Sequence, residues 1–185
     1  GAIKIGDTDL KYFSARSLRR VISVVPQKID LFQGSVAENI SLDDFEPDLI
    51  KINEICTMLG MMKFIEELPH GFNTWIGENG ITLSGGQRQM ISIARALYRD
   101  PEIIIFDEST SSLDSISEQN VKRVIGLLKE KGKTVIIIAH RFSTVMNADK
   151  VIVLGRGRVE DEGTVQELVE KDGTFREMLL KQTLV

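Results

Sequence analysis

Three groups of side chains in this sequence could do nucleotide chemistry. The Ser84–Gly86 turn opens a helical pattern, and backbone N–H groups at a helix start can hold phosphate oxygens. Asp107 and Glu108 end an apolar run, and such a carboxylate pair can hold Mg²⁺ through its waters and orient an attacking water. Gln27 and His140 each follow another apolar run. Ligands collect at the carboxyl ends of strands in open α/β sheets, so we expect these groups to converge there.

Each signal has a plainer interpretation when it is taken alone. Ser84 can be only the N-cap of the helix that follows it. Asp107 can cap a turn, and a single polar residue after a strand is often only a turn residue. The convergence of these positions is what favours a nucleotide site over separate caps and turns.

The sequence alternates between strand patterns and helix patterns, and these elements would position the candidate residues. Three runs are predominantly apolar, which is typical of strands buried on both faces of a parallel sheet: Val21–Val25, Ile103–Phe106 and Thr134–Ala139. We therefore predict an α/β fold with a mostly parallel sheet and an inserted helical subdomain. The predicted domains are an α/β core at residues 1–27 and 98–185 and a helical subdomain at residues 28–97.

Helix ends and turns have recognisable signals as well. Ser115 and Glu118 have the spacing of a capping box, and Gly132 is predicted to end the helix that the box begins. Gly155–Gly157 predicts a hairpin turn. Further elements are predicted as a strand at residues 2–5, helices at 48–59, 61–68 and about 86–98, and a last helix from about residue 174.

The composition excludes several classes of protein. A net charge of −4 and an aromatic content of 6% argue against a nucleic-acid binder, which would have a basic surface. The single cysteine, Cys56, excludes an intrachain disulfide and a cysteine-based zinc cluster. No apolar run approaches the roughly 20 residues of a membrane span. We expect no direct membrane insertion and a reducing, cytosolic environment.

These residues together resemble the nucleotide-binding domain of ABC transporters, and the resemblance covers essentially all of residues 1–185. The family's motifs follow one another in the family's order. They are a Q-loop at Val25–Gln27, the signature at Leu83–Gln89, a Walker B strand at Ile103–Asp107 followed by the catalytic Glu108, a D-loop at Ser111–Asp114 and a switch-histidine loop at Ala139–Arg141. Leu31–Ile40 and Gly77–Gly80 are similar to segments of the exporter subtype, and Glu78 would touch a partner.

The resemblance implies ATP and Mg²⁺ as ligands and a role for each site residue. Two such domains would pair head to tail, with each ATP between the two subunits. Ser84, Gly85, Gly86 and Gln87 would face the nucleotide of the partner, while Glu108 polarises the attacking water and His140 holds the γ-phosphate. Gln27 and Asp107 would bind Mg²⁺, and Asp114 would communicate across the dimer. A transmembrane exporter domain is the other implied partner, at the cytoplasmic face of the membrane.

One departure from the family pattern has a large consequence. A phosphate loop, G-x-x-x-x-G-K-[ST], occurs nowhere in the 185 residues, and in the family it precedes a strand such as Ala2–Ile5. Gly132–Thr134 looks like the end of such a loop, but it ends a helix and opens a strand, the reverse of a phosphate loop. We expect that the Walker A part of the fold lies outside these residues. We also expect the isolated chain to be inactive.

Two other functions stay open at this stage. The chain could be a catalytically silent interaction module that pairs with a chain carrying the phosphate loop. It could also be a soluble relative that acts on DNA or ribosomes. The acidic charge and the short helical insertion, in place of a long coiled coil, argue against the second alternative.

Overall fold

The computed structural model describes residues 1–42, 44, 46–77, 80–108, 113–139 and 142–183. The chain divides into two compact units, Gly1–Ile138 and Ala139–Val185. Short 3₁₀ turns lie at Leu10–Tyr12 and Gly71–Asn73. In chain order, the first unit contains β1 (Lys4–Ile5), β2 (Thr8–Asp9), α1 (Ala15–Val21), β3 (Ile22–Val25), β4 (Gly34–Ser35), α2 (Val36–Ser41), α3 (Leu49–Met58), α4 (Met62–Glu66), β5 (Trp75–Ile76), α5 (Gly85–Tyr98), β6 (Ile103–Asp107), α6 (Ser115–Glu130) and β7 (Thr134–Ile138).

A parallel sheet with β6 between β3 and β7 organises the first unit. Its register places Val25 beside Phe106 and Phe106 beside Ile137. α5 packs against β3 and α6 packs against β7. The predicted parallel α/β fold is therefore confirmed, although Val21 belongs to the end of α1 and not to the strand.

The prediction that the strands are buried on both faces was wrong. Successive side chains of a strand point to opposite faces, and here one face is covered by helices while the other is exposed. Val25, Ile104 and Phe106 lie on the covered face and are buried. On the opposite face, Val24 is 51% exposed and Ile138 is 48% exposed. Continuous apolarity of a strand does not distinguish these two situations.

The helices between β3 and β6 form the larger part of the buried core. α2 and α3 both pack on α5, whose buried side chains include Ile91 and Ile93. The N-cap of α3 is Asp48, whose Oδ1 accepts hydrogen bonds from the backbone N–H groups of Ile50 and Lys51, both at 3.0 Å. α3, α4 and α5 lie within one or two residues of the predicted helices.

The start of α6 differs from the prediction. Asp114, and not Ser115, is the N-cap, because its Oδ1 accepts hydrogen bonds from the N–H groups of Ile116 at 3.0 Å and Ser117 at 2.9 Å. Glu118 forms an ion pair with Lys122 at 2.7 Å. The predicted capping box of Ser115 and Glu118 was therefore wrong, since an aspartate one residue earlier competes for the same amides.

The second unit is a hairpin followed by helices. The predicted turn at Gly155–Gly157 is confirmed, with Gly155 paired to Arg158. Val153, Leu168 and Phe175 are buried together, and the Phe142 and Phe175 rings meet edge to face with centroids 5.0 Å apart. The elements are α7 (Phe142–Val145), β8 (Val151–Gly155), β9 (Arg158–Gly163), α8 (Val165–Glu170) and α9 (Thr174–Thr183).

Among the described residues, no helix combines the length and the apolarity that crossing a membrane requires.

Asp161 fixes the last helix of the second unit to the hairpin. Its buried carboxylate accepts hydrogen bonds from Lys171 Nζ at 2.9 Å and from the Phe175 backbone N–H at 3.0 Å. These bonds, that from Lys171 first, lower the pKa of Asp161 below its ordinary value. A carboxylate with a lowered pKa contributes its stabilisation at pH values above its unfolded pKa and loses it as the pH falls through the folded value.

We expect Asp161→Asn to destabilise the second unit at pH 7, with a difference from wild type that shrinks as the pH falls below about 4. Hydrogen exchange of the Phe175 amide, measured at pH 7 and below about pH 4, reports the loss of stability directly. Asp172→Asn is the matched control, because Asp172 is 97% exposed in its ion pair with Arg176. Equal protection of the Phe175 amide in wild type and Asp161→Asn at pH 7 would contradict the assignment.

Candidate functional site

The carboxyl edge of the parallel sheet brings two of the predicted site residues into contact. Val25 pairs with Phe106, so the residues two positions further along, Gln27 and Glu108, come to lie opposite each other. The side-chain amide of Gln27 donates a hydrogen bond from Nε2 to Oε2 of Glu108. Asp107 is the last residue of β6 and precedes this pair. The predicted convergence at the strand ends is thus observed for Gln27 and Glu108, with Asp107 next to them at the end of β6.

The backbone of Glu108 has an unusual conformation at this edge. Its φ is +47°, in the left-handed region that side chains other than glycine rarely adopt. The Glu108 N–H donates to the carbonyl oxygen of Ile138, the last residue of β7, at 3.0 Å. Such a conformation costs on the order of 1–3 kcal/mol and is often found at functional sites. The end of β7 therefore holds the Glu108 backbone in a strained position.

The Ser84–Gly86 turn begins α5, as predicted. Ser84 is the N-cap: its Oγ accepts a hydrogen bond from the Gln87 N–H at 3.2 Å, and Gln87 Oε1 accepts one from the Ser84 N–H at 2.8 Å. Arg88 anchors the residue before the turn, because its guanidinium donates to the Leu83 carbonyl at 2.8 Å. The side chain of Gln87, predicted to face a nucleotide, is used here for the capping box.

Gly85 leaves open space at the start of α5. A Cβ built on Gly85 would meet no atom within 4 Å, so packing within the chain does not require glycine at this position. Within the described part of the chain, the N–H groups of Gly85 and Gly86 have no acceptor. Two accessible amides at the N-terminus of a 14-residue helix suit an anionic ligand.

Asp114 also has a structural role beside the one that the family resemblance gave it. As the N-cap of α6 it accepts hydrogen bonds from two backbone amides and, at 3.0 Å, from the Ser117 hydroxyl. The bonds from Ser117 lower the pKa of Asp114 below its ordinary value. The carboxylate of Asp114, the last residue of the D-loop sequence, is therefore fixed at the start of α6.

Arg95 is a positioning residue that the sequence reasoning missed. From the middle of α5 its Nε donates to the Asn39 carbonyl at 2.7 Å, and its Nη1 donates to the Asp30 carbonyl at 3.1 Å. Asn39 in turn donates to the Phe32 carbonyl at 3.0 Å. Burial of the guanidinium lowers the pKa of Arg95. The available signal was a charged residue inside a mostly apolar stretch of helix, Ile91–Leu97.

The segment that Arg95 holds contributes to an exposed aromatic surface. Phe32 is 40% exposed and Trp75 is 52% exposed, and both line an open groove of about 610 Å³ together with Leu42 and Pro47. The pairing of β4 with β5 brings the two aromatic residues to the same region. Large exposed apolar side chains that line a groove are typical of protein interaction sites.

The donors at the carboxyl edge fit Mg²⁺ and do not form a closed metal cage. Among the described residues no group of three or more His, Cys, Asp or Glu side chains could hold a metal ion. Mg²⁺ usually keeps several waters and takes one or two carboxylates together with substrate phosphates. Asp107 and the amide oxygen of Gln27 are oxygen donors of this kind, so an open magnesium site is compatible with the structure.

Several predicted residues lie outside the described part of the chain. They are the catalytic candidate His140 with Arg141, the interface candidate Glu78, and Ser111 and Ser112 of the D-loop sequence. Their roles stay predictions.

The comparison with protein families identifies the family of this chain. The sequence model of the family described as ABC transporter matches residues 1–111. The chain belongs to the ABC transporter family. Within this family, the ATP-binding protein HepA of Nostoc sp., described as a heterocyst differentiation protein, is 47% identical over 173 residues, which are 94% of this chain and 28% of HepA.

Two further proteins are similar over nearly the whole chain. The ATP-dependent lipid A-core flippase of Hahella chejuensis is 44% identical over 95% of this chain and 30% of the flippase. A structure of a bacterial Atm1-family ABC exporter with ATP bound superposes with a TM-score of 0.91 at 34% identity, over 99% of this chain and 32% of the exporter chain. The chain thus spans less than a third of the length of these relatives.

The capping role of Ser84 in this ABC family member can be separated from any role toward a ligand. We expect Ser84→Ala to lower the free energy of unfolding by about 1 kcal/mol, because the Gln87 amide loses its acceptor. Ser84→Asp, which keeps a capping oxygen, is expected to stay within about 0.5 kcal/mol of wild type. Urea unfolding of the three proteins measures both effects.

Ser35 offers a matched control for this experiment. It caps α2 with the same capping box, in which Ser35 Oγ accepts from the Glu38 N–H at 3.1 Å. Ser35→Ala should therefore cost about as much stability as Ser84→Ala. A stability loss in Ser35→Ala with none in Ser84→Ala would show that the Ser84 hydroxyl does not cap α5 in solution.

Proposed function

We propose that the chain is the ATP-binding and ATP-hydrolysing part of an ABC exporter, which powers transport across a membrane. The observation that carries the proposal is the contact between Gln27 and Glu108 at the carboxyl edge of the sheet, in a chain of the ABC transporter family. The similarity to a flippase and to an Atm1-family exporter supports the exporter subtype. The proposed core at residues 1–27 and 98–185 and the proposed helical subdomain at 28–97 belong to the same hypothesis.

The residues have distinct proposed roles in hydrolysis. Glu108, held by the end of β7, would orient and polarise the attacking water, and His140 would hold the γ-phosphate. Bound Mg²⁺ would supply charge neutralisation for the phosphates, with Asp107 and Gln27 as its protein donors. Catalysis of phosphoryl transfer is mostly positioning and electrostatic stabilisation, and these side chains would provide both.

The start of α5 would serve a second subunit. The amides of Gly85 and Gly86 point to a phosphate site, but no phosphate loop occurs in the 185 residues to hold a nucleotide beside them. A head-to-tail dimer would bring the nucleotide of one subunit to the Ser84–Gly86 turn of the other. Asp114, fixed as the N-cap of α6, would communicate across this dimer.

The aromatic groove would accept the transmembrane domain. Phe32 and Trp75 offer exposed apolar surface there, and Arg95 ties the segment that contains Phe32 to α5. Glu78 follows Gly77 directly and would lie in the same interface. This arrangement would place the chain at the cytoplasmic face of the membrane, attached through its partner.

We expect Glu108→Gln to lower ATP turnover by at least about 100-fold in the protein encoded by the full reading frame that contains this chain, since the general base is lost. Phosphate release under saturating Mg²⁺-ATP measures it. Glu102→Gln is the control, because Glu102 pairs with Lys133 at 2.9 Å at the opposite end of β6 and should leave turnover unchanged. Undiminished turnover in Glu108→Gln would contradict the assigned role.

The purified chain 1–185 is expected to hydrolyse no ATP alone, because it has no phosphate loop. Turnover in this chain that disappears with Glu108→Gln would overturn that expectation. A catalytically silent interaction module is the second candidate, favoured by the same missing motif. The coding sequence upstream of Gly1 distinguishes the two: an in-frame phosphate loop and membrane helices support the exporter, and a start codon directly before the Gly1 codon supports the module.

A further inference from the structure

The contact between Gln27 and Glu108 has a direction that matters for the site. Gln27 donates from its amide nitrogen, and the acceptor is a carboxylate oxygen of Glu108. A carboxylate can only accept hydrogen bonds, so the amide must present its N–H₂ group to Glu108. The opposite side of the same amide, its Oε1 oxygen, is an acceptor and is directed away from this bond.

Glu108 needs such a contact because its backbone is fixed while its side chain is long. The left-handed φ of +47° and the hydrogen bond to the Ile138 carbonyl hold the main chain. A glutamate side chain has several rotatable torsions, and ordering it costs conformational entropy. A hydrogen bond from a neighbouring strand end selects one of these positions before any ligand arrives.

We propose that Gln27 is a positioning residue for Glu108: its N–H₂ group holds the Glu108 carboxylate while its Oε1 oxygen stays available to a metal ion. The amide would thus fix the distance between the carboxylate that acts on water and the cation that binds the phosphates. This inference rests on the proposed function and deepens it, because a residue that only binds metal would need only the oxygen.

Two substitutions separate the two halves of the amide. Gln27→Glu keeps oxygen donors for a metal ion and removes the N–H₂ group, and it places a second carboxylate beside Glu108. Gln27→Lys keeps a donor for Glu108 and removes the oxygen. A metal-binding role alone predicts that Gln27→Glu functions and Gln27→Lys fails. A positioning role predicts that Gln27→Glu fails even when Mg²⁺ is saturating.

The first measurement is turnover of the protein encoded by the full reading frame. We expect Gln27→Glu to lower kcat by about 100-fold at saturating Mg²⁺, because a misplaced catalytic group costs about that much. KM for ATP should change less than about threefold, because a group that acts in the chemical step and not in substrate binding mainly affects kcat. A wild-type kcat in Gln27→Glu would overturn the proposal, whereas absence of turnover in the wild-type protein would overturn the proposed function instead.

The second measurement needs neither ATP nor turnover. In the chain 1–185 labelled with ¹⁵N-glutamine, the side-chain amide signals of Gln27 are assigned by their loss in Gln27→Asn. We expect one Gln27 amide proton to be shifted downfield and to return to the position of a free amide in Glu108→Ala. Glu102→Gln is the control and should leave these signals in place. Gln27 signals at the free-amide position in the wild-type chain would overturn the proposal.

Discussion

The parallel register between β3 and β6 sets the geometry on which the proposed site depends. A shift of one residue would turn every side chain of β3 to the opposite face. It would also separate Gln27 from Glu108, since their contact follows from the pairing of Val25 with Phe106. The register is specified by burial: Ser23, Ile104 and Val135 form one row across the covered face. The packing of α5 and α6 on that face thus positions a polar pair beyond the strand ends.

The N-terminus of α5 shows how capping and ligand binding can share one turn. The side chains of Ser84 and Gln87 each accept a hydrogen bond from the backbone N–H of the other residue, so both side chains are used in capping α5. What remains for an anion is the backbone of Gly85 and Gly86, together with the space that the missing Cβ of Gly85 leaves. The structural and the functional interpretation of Ser84 are therefore compatible, and packing within the chain gives no reason for glycine at position 85.

Much of the fold could be predicted from the sequence, because the patterns that indicate each strand, helix and turn lie within a few neighbouring residues. Hydrophobic periodicity within a few residues indicated the strand at Ile103–Phe106 and the helix that ends at Tyr98. Turn chemistry indicated the hairpin turn at Gly155–Gly157. The polar residues after the strands were also predicted to meet, because the carboxyl ends of parallel strands share one edge of the sheet.

The features that the sequence did not predict depend on partners distant along the chain. The exposure of Val24 and Ile138 depends on which helices cover the sheet, and apolar runs do not contain that information. The left-handed backbone of Glu108 requires the Ile138 carbonyl, and the role of Arg95 requires carbonyls 56 and 65 residues away. The N-cap of α6 was misassigned for a different reason, because adjacent Asp114 and Ser115 are both good caps.

The central claim is that the start of α5 serves a nucleotide held by another subunit. Sedimentation velocity tests it most directly, with chain 1–185 mixed with a catalytically arrested nucleotide-binding domain of the same family that carries the phosphate loop. The account predicts a one-to-one complex that forms only with Mg²⁺-ATP, is lost in Ser84→Asp and persists in Ser35→Ala. A complex that forms equally without ATP, or that tolerates Ser84→Asp, would contradict it.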